Sequence, residues 1–469
     1  MINLVRNELY KIFHKKGIYI VIIITALVAI LTNFLYSYET DYDYIDDSYN
    51  TELEYFESLD KSDESYMNTK QTLAIYEYAD SFGKDSWQRI IIHKDGEYYI
   101  RVYELVGDVL YYEENLDNDI EKYSSAKKEL ENIKNDLLSM TEEEFIDRKI
   151  ENLKVNLQSE TDETYLYDMK AELETLELRK KHNISYGYDT LNDYLESYQF
   201  NVSALLSYED EDIYDQEDLD YYNSLKVEKE IYKGYIENQI DDEKADGQYQ
   251  ILNAFFDEYF IMILVFIILI SGSIVSEEFS KGTIKLLLVK PYTRTKILLS
   301  KYITTIIMVL FAVIVPLIMQ LLIGSIMFGV DGLSTPVIVY DYTKEAYEAL
   351  NIFRYLFLMI LATLPRLILL GTTAFTLSTL FLSTSLANTL TIIGTFGSSL
   401  ISAYAQIFEL DIAKYFITLH WDWSVYLFGA PSPYIGVTFP MSVIICLIYL
   451  IVMIALSFIV FKKRNIKNI

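Results

Sequence analysis

Residues Leu367–Phe408 run for 42 positions without a charged side chain. At ~1.5 Å per residue one helix of that length would be roughly 63 Å long, about twice the hydrocarbon thickness of a bilayer. The run therefore reads as two spans that turn near Ser383, Thr384 and Ser385. Ile18–Ser37, Tyr259–Ser276, Tyr302–Val330 and Phe439–Phe461 are also apolar enough to cross. The six expected spans are 18–37, 255–276, 302–330, 352–382, 386–408 and 439–461. A chain built this way is not one soluble domain.

The charge balance has to be divided to make sense. The chain is 51% hydrophobic yet carries a formal net charge of −29. Residues 38–254 hold 56 acidic and 21 basic side chains, whereas the rest holds 12 and 18. An acidic insert at −35 thus sits inside an apolar frame at +6. Such an insert would repel phosphate, which excludes nucleic acid as a partner. The single cysteine, Cys446, excludes a disulfide framework or a Cys-ligated zinc site.

Positive flanks set an expected orientation. Arg6, Lys11, Lys15 and Lys16 precede the first span, six basic residues occupy 277–301, and Lys462, Lys463, Arg464 and Lys467 follow the last. Segments 331–351 and 409–438 are external, the latter with a re-entrant or interfacial character around Pro431 and Pro433. The amphipathic segment 1–17, the 277–301 loop and the tail 462–469 are then cytoplasmic. The first span lacks a small-x-small cleavage pattern at Leu35-Tyr36-Ser37, so an uncleaved anchor is expected rather than a signal peptide.

The insert reads as a mainly helical external domain. Tyr123, Leu130, Ile133 and Leu137 recur at helical spacing, as do Tyr165, Met169, Leu173 and Leu176. Thr141 and Glu144 form a capping-box pattern. Asp189–Leu206 and Leu219–Ile240 are further helices. Arg89–His93 and Tyr98–Tyr103, flanking Asp95-Gly96, predict a small β-hairpin. The expected fold class is thus an all-α polytopic membrane protein with six transmembrane helices and this extracellular domain between spans 1 and 2. Tyr208, Asp210, Asp212, Tyr214, Asp218, Tyr221 and Tyr222 offer carboxylates beside aromatic rings, a surface for a cationic peptide or simply a solvated acidic face. No calcium-loop pattern accompanies them.

Catalytic motifs are missing. The chain has no GxxxxGK(S/T) phosphate loop, no HExxH and no GxSxG, and its four histidines are scattered. It reads as no enzyme by itself, with no metal site and no bound cofactor. Within the spans, Arg354 is placed to snorkel. Arg366 is interfacial if the fourth span starts at Pro365 and deep if it starts near Phe353, where a charge would be a functional candidate. Ser271, Gly272 and Ser273, with Gly394, Gly397, Ser398 and Ser399, permit close helix approach or line a translocation path. His420, Trp421, Asp422 and Trp423 read as an interfacial anchor.

The 276–302 segment is the most specific. It reads SEEFSKGTIKLLLVKPYTRTKILLSKY: acidic residues after a span, a Gly-Thr pair, an apolar run, a Pro291 break, then a basic helix entering the next span. This segment and the opening NLVRNELYKIF resemble the membrane subunit of type-2 ATP-binding-cassette exporters, over residues 1–37 and 255–469. The resemblance implies that Glu277, Glu278, Phe279, Gly282, Thr283 and Pro291 form a coupling region, continued by Arg294 and Lys301. It also implies two separate ATPase subunits carrying ATP and Mg, and a second permease copy or homologous permease, with contact to membrane lipids. The insert's lack of cysteine and the abundance of Lys, Ile, Tyr and Asn suggest a bacterial plasma membrane. Expected cargo is an amphipathic or cationic peptide of antimicrobial type. A cation such as sodium, or a lipid or drug, is the alternative, and a ligand-binding sensor or scaffold is the reading from another class.

Overall fold

The structure, a computed structural model, describes residues 1–37, 44–63, 65–114, 120–210, 216–240, 247–284, 292–408, 412–434 and 436–464. Among the described residues six helices are long and apolar enough to cross a membrane: Lys16–Tyr36, Phe255–Ser273, Arg294–Met327, Ile352–Phe381, Thr384–Ile407 and Phe439–Lys463, called first to sixth below. The protein is an all-α polytopic membrane protein. Exposed Ile23, Leu27, Ile314, Ile393 and Ile451 leave apolar outer surfaces on these helices, as contact with lipid requires.

Local chemistry sets the helix ends. Thr293 Oγ1 accepts from the Lys296 N–H at 3.3 Å, so the third helix starts eight residues before the uncharged run that marked it. Asn351 Oδ1 caps the fourth helix through the Phe353 N–H at 3.0 Å. That helix passes through Pro365 without ending, and Arg366 therefore lies near its middle. Leu382, with φ at +58°, reverses the chain into the fifth helix, close to the expected Ser383 turn. A separate helix, Ile2–Phe13, precedes the first span and buries Leu4, Glu8 and Ile12 along one stripe.

Two compact units divide the chain: Glu39–Lys244, and Met1–Tyr38 together with Ala245–Ile469. The insert thus closes ten residues before its expected end at 254. Helix Gly247–Asn253 belongs to the membrane unit, where Gln248 Nε2 donates to Ser325 Oγ at 3.1 Å. In the other unit, helices run from Tyr44–Glu57 to Gln216–Glu237. One apolar core gathers Ile75, Ile91, Val102, Leu137 and Phe145, and a second gathers Ala171, Leu195, Tyr198 and Ile236. The Thr141–Glu144 capping box is present in both directions, at 3.2 and 2.8 Å.

The hairpin expected at 89–103 is absent, and helices Trp87–Lys94 and Gly96–Glu114 stand there. Ser86 Oγ caps the first through the Arg89 N–H at 3.2 Å, while Asp95 Oδ1 receives the Tyr98 N–H at 3.3 Å. Asp95-Gly96 is therefore a helix start rather than a two-residue turn. Burial of Ile90, Ile91 and Ile92 with Val102 and Val106 outweighs the strand preference of β-branched residues. A hairpin does form inside the expected external loop: Val337–Asp341 pairs antiparallel with Ala346–Leu350, in register from Val337↔Leu350 to Asp341↔Ala346. Its turn is held by Asp341, which accepts from the Thr343 N–H at 2.9 Å and pairs with Lys344 at 2.9 Å.

Candidate functional site

One end of the membrane unit is closed by an ion-paired knot. Lys301, one or two turns into the third helix, is only 1% exposed. Its Nζ lies 2.6 Å from Glu8, 3.4 Å from Glu278 and 3.0 Å from the Ile274 carbonyl oxygen. Lys11 donates to Glu278 at 2.7 Å and to Glu8 at 3.2 Å. Lys15 pairs with Glu277, which also receives Lys281 at 2.5 Å. A buried ammonium costs several kcal/mol in lost hydration unless opposite charges and hydrogen bonds surround it. Here two carboxylates and a carbonyl do so, drawn from the amino-terminal helix and from the chain just past the second helix.

The carboxylates respond to that company. Burial works hardest on Glu278 and would raise its pKa, but Lys301, Lys11 and Thr283 together hold it down to about 2. Burial likewise opposes ionisation of Glu277, and its hydrogen bonds from Lys15 and Lys281 outweigh it. These groups enclose a cleft of about 210 Å³ beside Ile12 and Ile274.

Neutral contacts extend the knot to the other helices. The Ser276 N–H donates to Ser378 Oγ at 2.9 Å, and Ser276 Oγ meets Thr384 Oγ1 at 2.9 Å. Phe279 is buried edge-on to Phe461, with ring centroids 6.2 Å apart. Arg294 donates to the Lys462 and Arg464 carbonyls at 3.1 and 2.8 Å, and Arg464 to the Leu380 carbonyl at 2.8 Å. Gly282 ends this short helical stretch with φ at +69°, a conformation in which a side chain is strained, and its surroundings are open. Of the coupling set, Glu277, Glu278, Phe279, Thr283, Arg294 and Lys301 are thus brought to one end; Pro291 lies outside the described residues.

A second charge pair sits further along. Arg366 Nη1 is 2.9 Å from Asp422 Oδ2, and its guanidinium lies 4.0 Å from the Phe260 ring centre. Asp422 comes from a run of short 3₁₀ turns between Ala413 and Gly429, so the expected anchor HWDW supplies a counter-ion. Its neighbour His420 is buried against Ser442 at 3.0 Å and the Lys414 carbonyl at 2.8 Å. Arg354 instead meets Glu348 of the hairpin at 3.3 Å.

The small residues differ in their surroundings. Ser271 and Gly272 are buried where the second helix meets the fifth, and a Cβ on Gly272 would stand 1.9 Å from Asn388 Oδ1. Ser273 Oγ donates to the Ile270 carbonyl at 3.0 Å. Gly394 and Gly397 have open space where a Cβ would be. In the insert, Tyr208 approaches Tyr221 and Tyr222 with centroids 5.9 and 6.0 Å apart, and Lys226 already covers the Tyr222 ring at 4.5 Å. Asp218 is on the same helix, Gln216–Glu237; the Asp210 side chain, Asp212 and Tyr214 lie outside the described residues.

Sequence reasoning used Lys11 and Lys15 only as positive flanks and gave Glu8 no role, although Glu8 interrupts an apolar stripe with Leu4 and Ile12. It also passed over Asn33 and Gln320, whose amides pair at 2.8 and 3.1 Å, with the Tyr259 hydroxyl donating to Gln320 at 2.6 Å. Lone amides inside uncharged runs were the available signal.

A family model described as "Protein of unknown function (DUF2705)" matches residues 224–467, more than half of the chain. The chain belongs to this family. The DUF2705 region takes in the second to sixth helices, the 276–283 segment, Arg366 and Asp422. Two curated relatives come from Bacillus subtilis (strain 168). "Uncharacterized protein YhcI" is 34% identical over 212 residues, 44% of this chain and 66% of the relative. "Uncharacterized membrane protein YdbK" is 25% identical over 207 residues, 44% of this chain and 79% of the relative. The chain thus spans just under two thirds of the first relative's length. No solved structure matches this DUF2705 chain.

Proposed function

We propose that the protein is the membrane-spanning permease subunit of a type-2 ABC exporter in a bacterial plasma membrane. Two separate ATPase subunits, holding ATP and Mg, would power it, and it would act with a second permease copy or a homologous one. The observation that carries this reading is the knot on Lys301. The acidic start of the 276–283 segment is salt-bridged to the amino-terminal helix and to the base of the third helix. A displacement of that segment is therefore transmitted to the spans instead of being absorbed by a slack loop. In this reading the knot end is cytoplasmic and the acidic insert extracellular. The expected cargo is an amphipathic or cationic peptide, attracted by the insert's charge.

The test is ATP hydrolysis by the full chain co-purified with a candidate ABC ATPase partner and reconstituted in lipid. Glu278→Gln and Gly282→Val should each lower copy-number association or cargo-stimulated hydrolysis about tenfold. Unchanged association and coupling in both variants would remove the assignment. Ligand binding by the insert with no ATPase association would instead support a sensor.

A further inference from the structure

Three openings follow one another along the seam between the first and second apolar helices. The charged cleft shares Ile12 and Lys15 with an apolar groove of about 170 Å³ walled by Gly17, Ile18, Val21, Phe266, Leu269 and Ile270. That groove shares Val21 and Phe266 with a narrow slot reaching Thr25 and Pro316. Gly17 leaves the mouth open, with nothing within 4 Å of where its Cβ would be. From Gly17 to Thr25 the helix rises about 12 Å, close to the depth of one leaflet of a core about 30 Å thick.

The two ends of this seam differ in chemistry. Its upper walls are hydrocarbon, with Leu269 45% exposed along the edge. Lys15 stands at its mouth and is followed in sequence by exposed Lys16, which enters no ion pair among the described residues. Lys281 lines the adjoining cleft and shares Glu277 with Lys15. Basic groups at a polar mouth, followed by an apolar slot one leaflet deep, complement a molecule with a compact anionic head and a long apolar tail.

We propose that this seam binds one anionic glycerophospholipid, its phosphate held by Lys15 and Lys16 and one acyl chain laid between the first and second helices. The phosphate competes with Glu277 for Lys15. Membrane composition therefore adjusts how firmly the 276–283 segment is tied down. This inference needs only the membrane embedding of the helices and stands whether or not the exporter reading does.

The test uses the full chain carrying Leu269→Trp, in phosphatidylcholine vesicles doped with either brominated phosphatidylglycerol or brominated phosphatidylcholine. Quenching of the new tryptophan, taken against the unsubstituted chain, should half-saturate at about tenfold less brominated phosphatidylglycerol, as two basic groups near a surface allow. Lys15→Gln with Lys16→Gln should abolish the preference and leave quenching by brominated phosphatidylcholine. High salt on the Leu269→Trp chain should weaken the preference without those substitutions. Equal quenching by the two headgroups, a preference that survives the lysine changes, or no quenching at all, as when a second copy covers the groove, would each overturn the proposal.

Discussion

Lys301 is tolerated inside an apolar helix because Glu8 and Glu278 approach it from two other parts of the chain. The same arrangement makes it fragile, since any one of the three groups left alone becomes an uncompensated buried charge. Lys301→Met keeps the stem's volume and removes the ammonium, leaving Glu8 and Glu278 repelling each other beside Lys11. The expected cost is roughly 3–5 kcal/mol, read as a lowered Tm of the full chain in detergent. Adding Glu8→Gln to Lys301→Met should recover part of the loss, because it removes one unpaired carboxylate. Additive losses in the double variant would show that the two residues do not form a pair. Arg366 follows the same logic with Asp422, and it explains how a guanidinium sits near the middle of the fourth helix.

At the level of elements, backbone approach decides where the second and fifth helices meet. Gly272 abuts Asn388 so closely that an added Cβ would fall 1.9 Å from the amide oxygen and 3.6 Å from the Asn388 backbone nitrogen. The amide can swing aside for one methyl but not for a branched side chain. Gly272→Val should cost about 1–3 kcal/mol through overpacking, seen as a lower Tm, and Asn388→Ala should restore most of it. No rescue would mean that the two helices meet differently. Apolar run length made all six of these helices legible in the sequence, since hydrocarbon thickness leaves little else for such runs to do. Their starts were less legible: the third begins on the charged residues Arg294 and Lys296, capped by Thr293, which a search for uncharged runs passes over. The Asp95-Gly96 hairpin failed because two caps and a buried Ile90–Ile92 run override local strand preference. Site legibility divided the same way. Glu278 and Lys301 stand in a recognisable segment, whereas Glu8 acquires meaning only through a contact 293 residues distant in sequence.

Across the whole molecule, opposing charge is kept in separate compact units: Glu39–Lys244 carries 55 acidic and 21 basic side chains, net −34, and the other unit 13 and 18, net +5. The acidity of the insert is partly structural. Lys149 joins Asp95 to Glu172, the latter at 2.6 Å, and so fastens the start of one helix to the middle of another. Against this background His93 is an exception, a ring tilted against that of Tyr76 with centroids 4.7 Å apart and pushed down to a pKa of about 4. Burial is the main cause and Arg89 adds to it, with Asp80 acting in the opposite direction. The folded insert therefore holds this imidazole neutral, while the unfolded chain protonates it near pH 6.5. Its contribution to stability is complete above about pH 6.5 and is lost as pH falls toward 4. His93→Phe keeps an aromatic ring in place and removes the titration. Urea unfolding of the full chain, followed by Trp87 with Trp421 and Trp423 replaced by Phe, should show wild-type stability falling by on the order of 1–3 kcal/mol over that window. The His93→Phe chain should lose distinctly less over the same interval. Equal losses in the two chains would place the acid sensitivity in the crowded carboxylates and not in the buried ring.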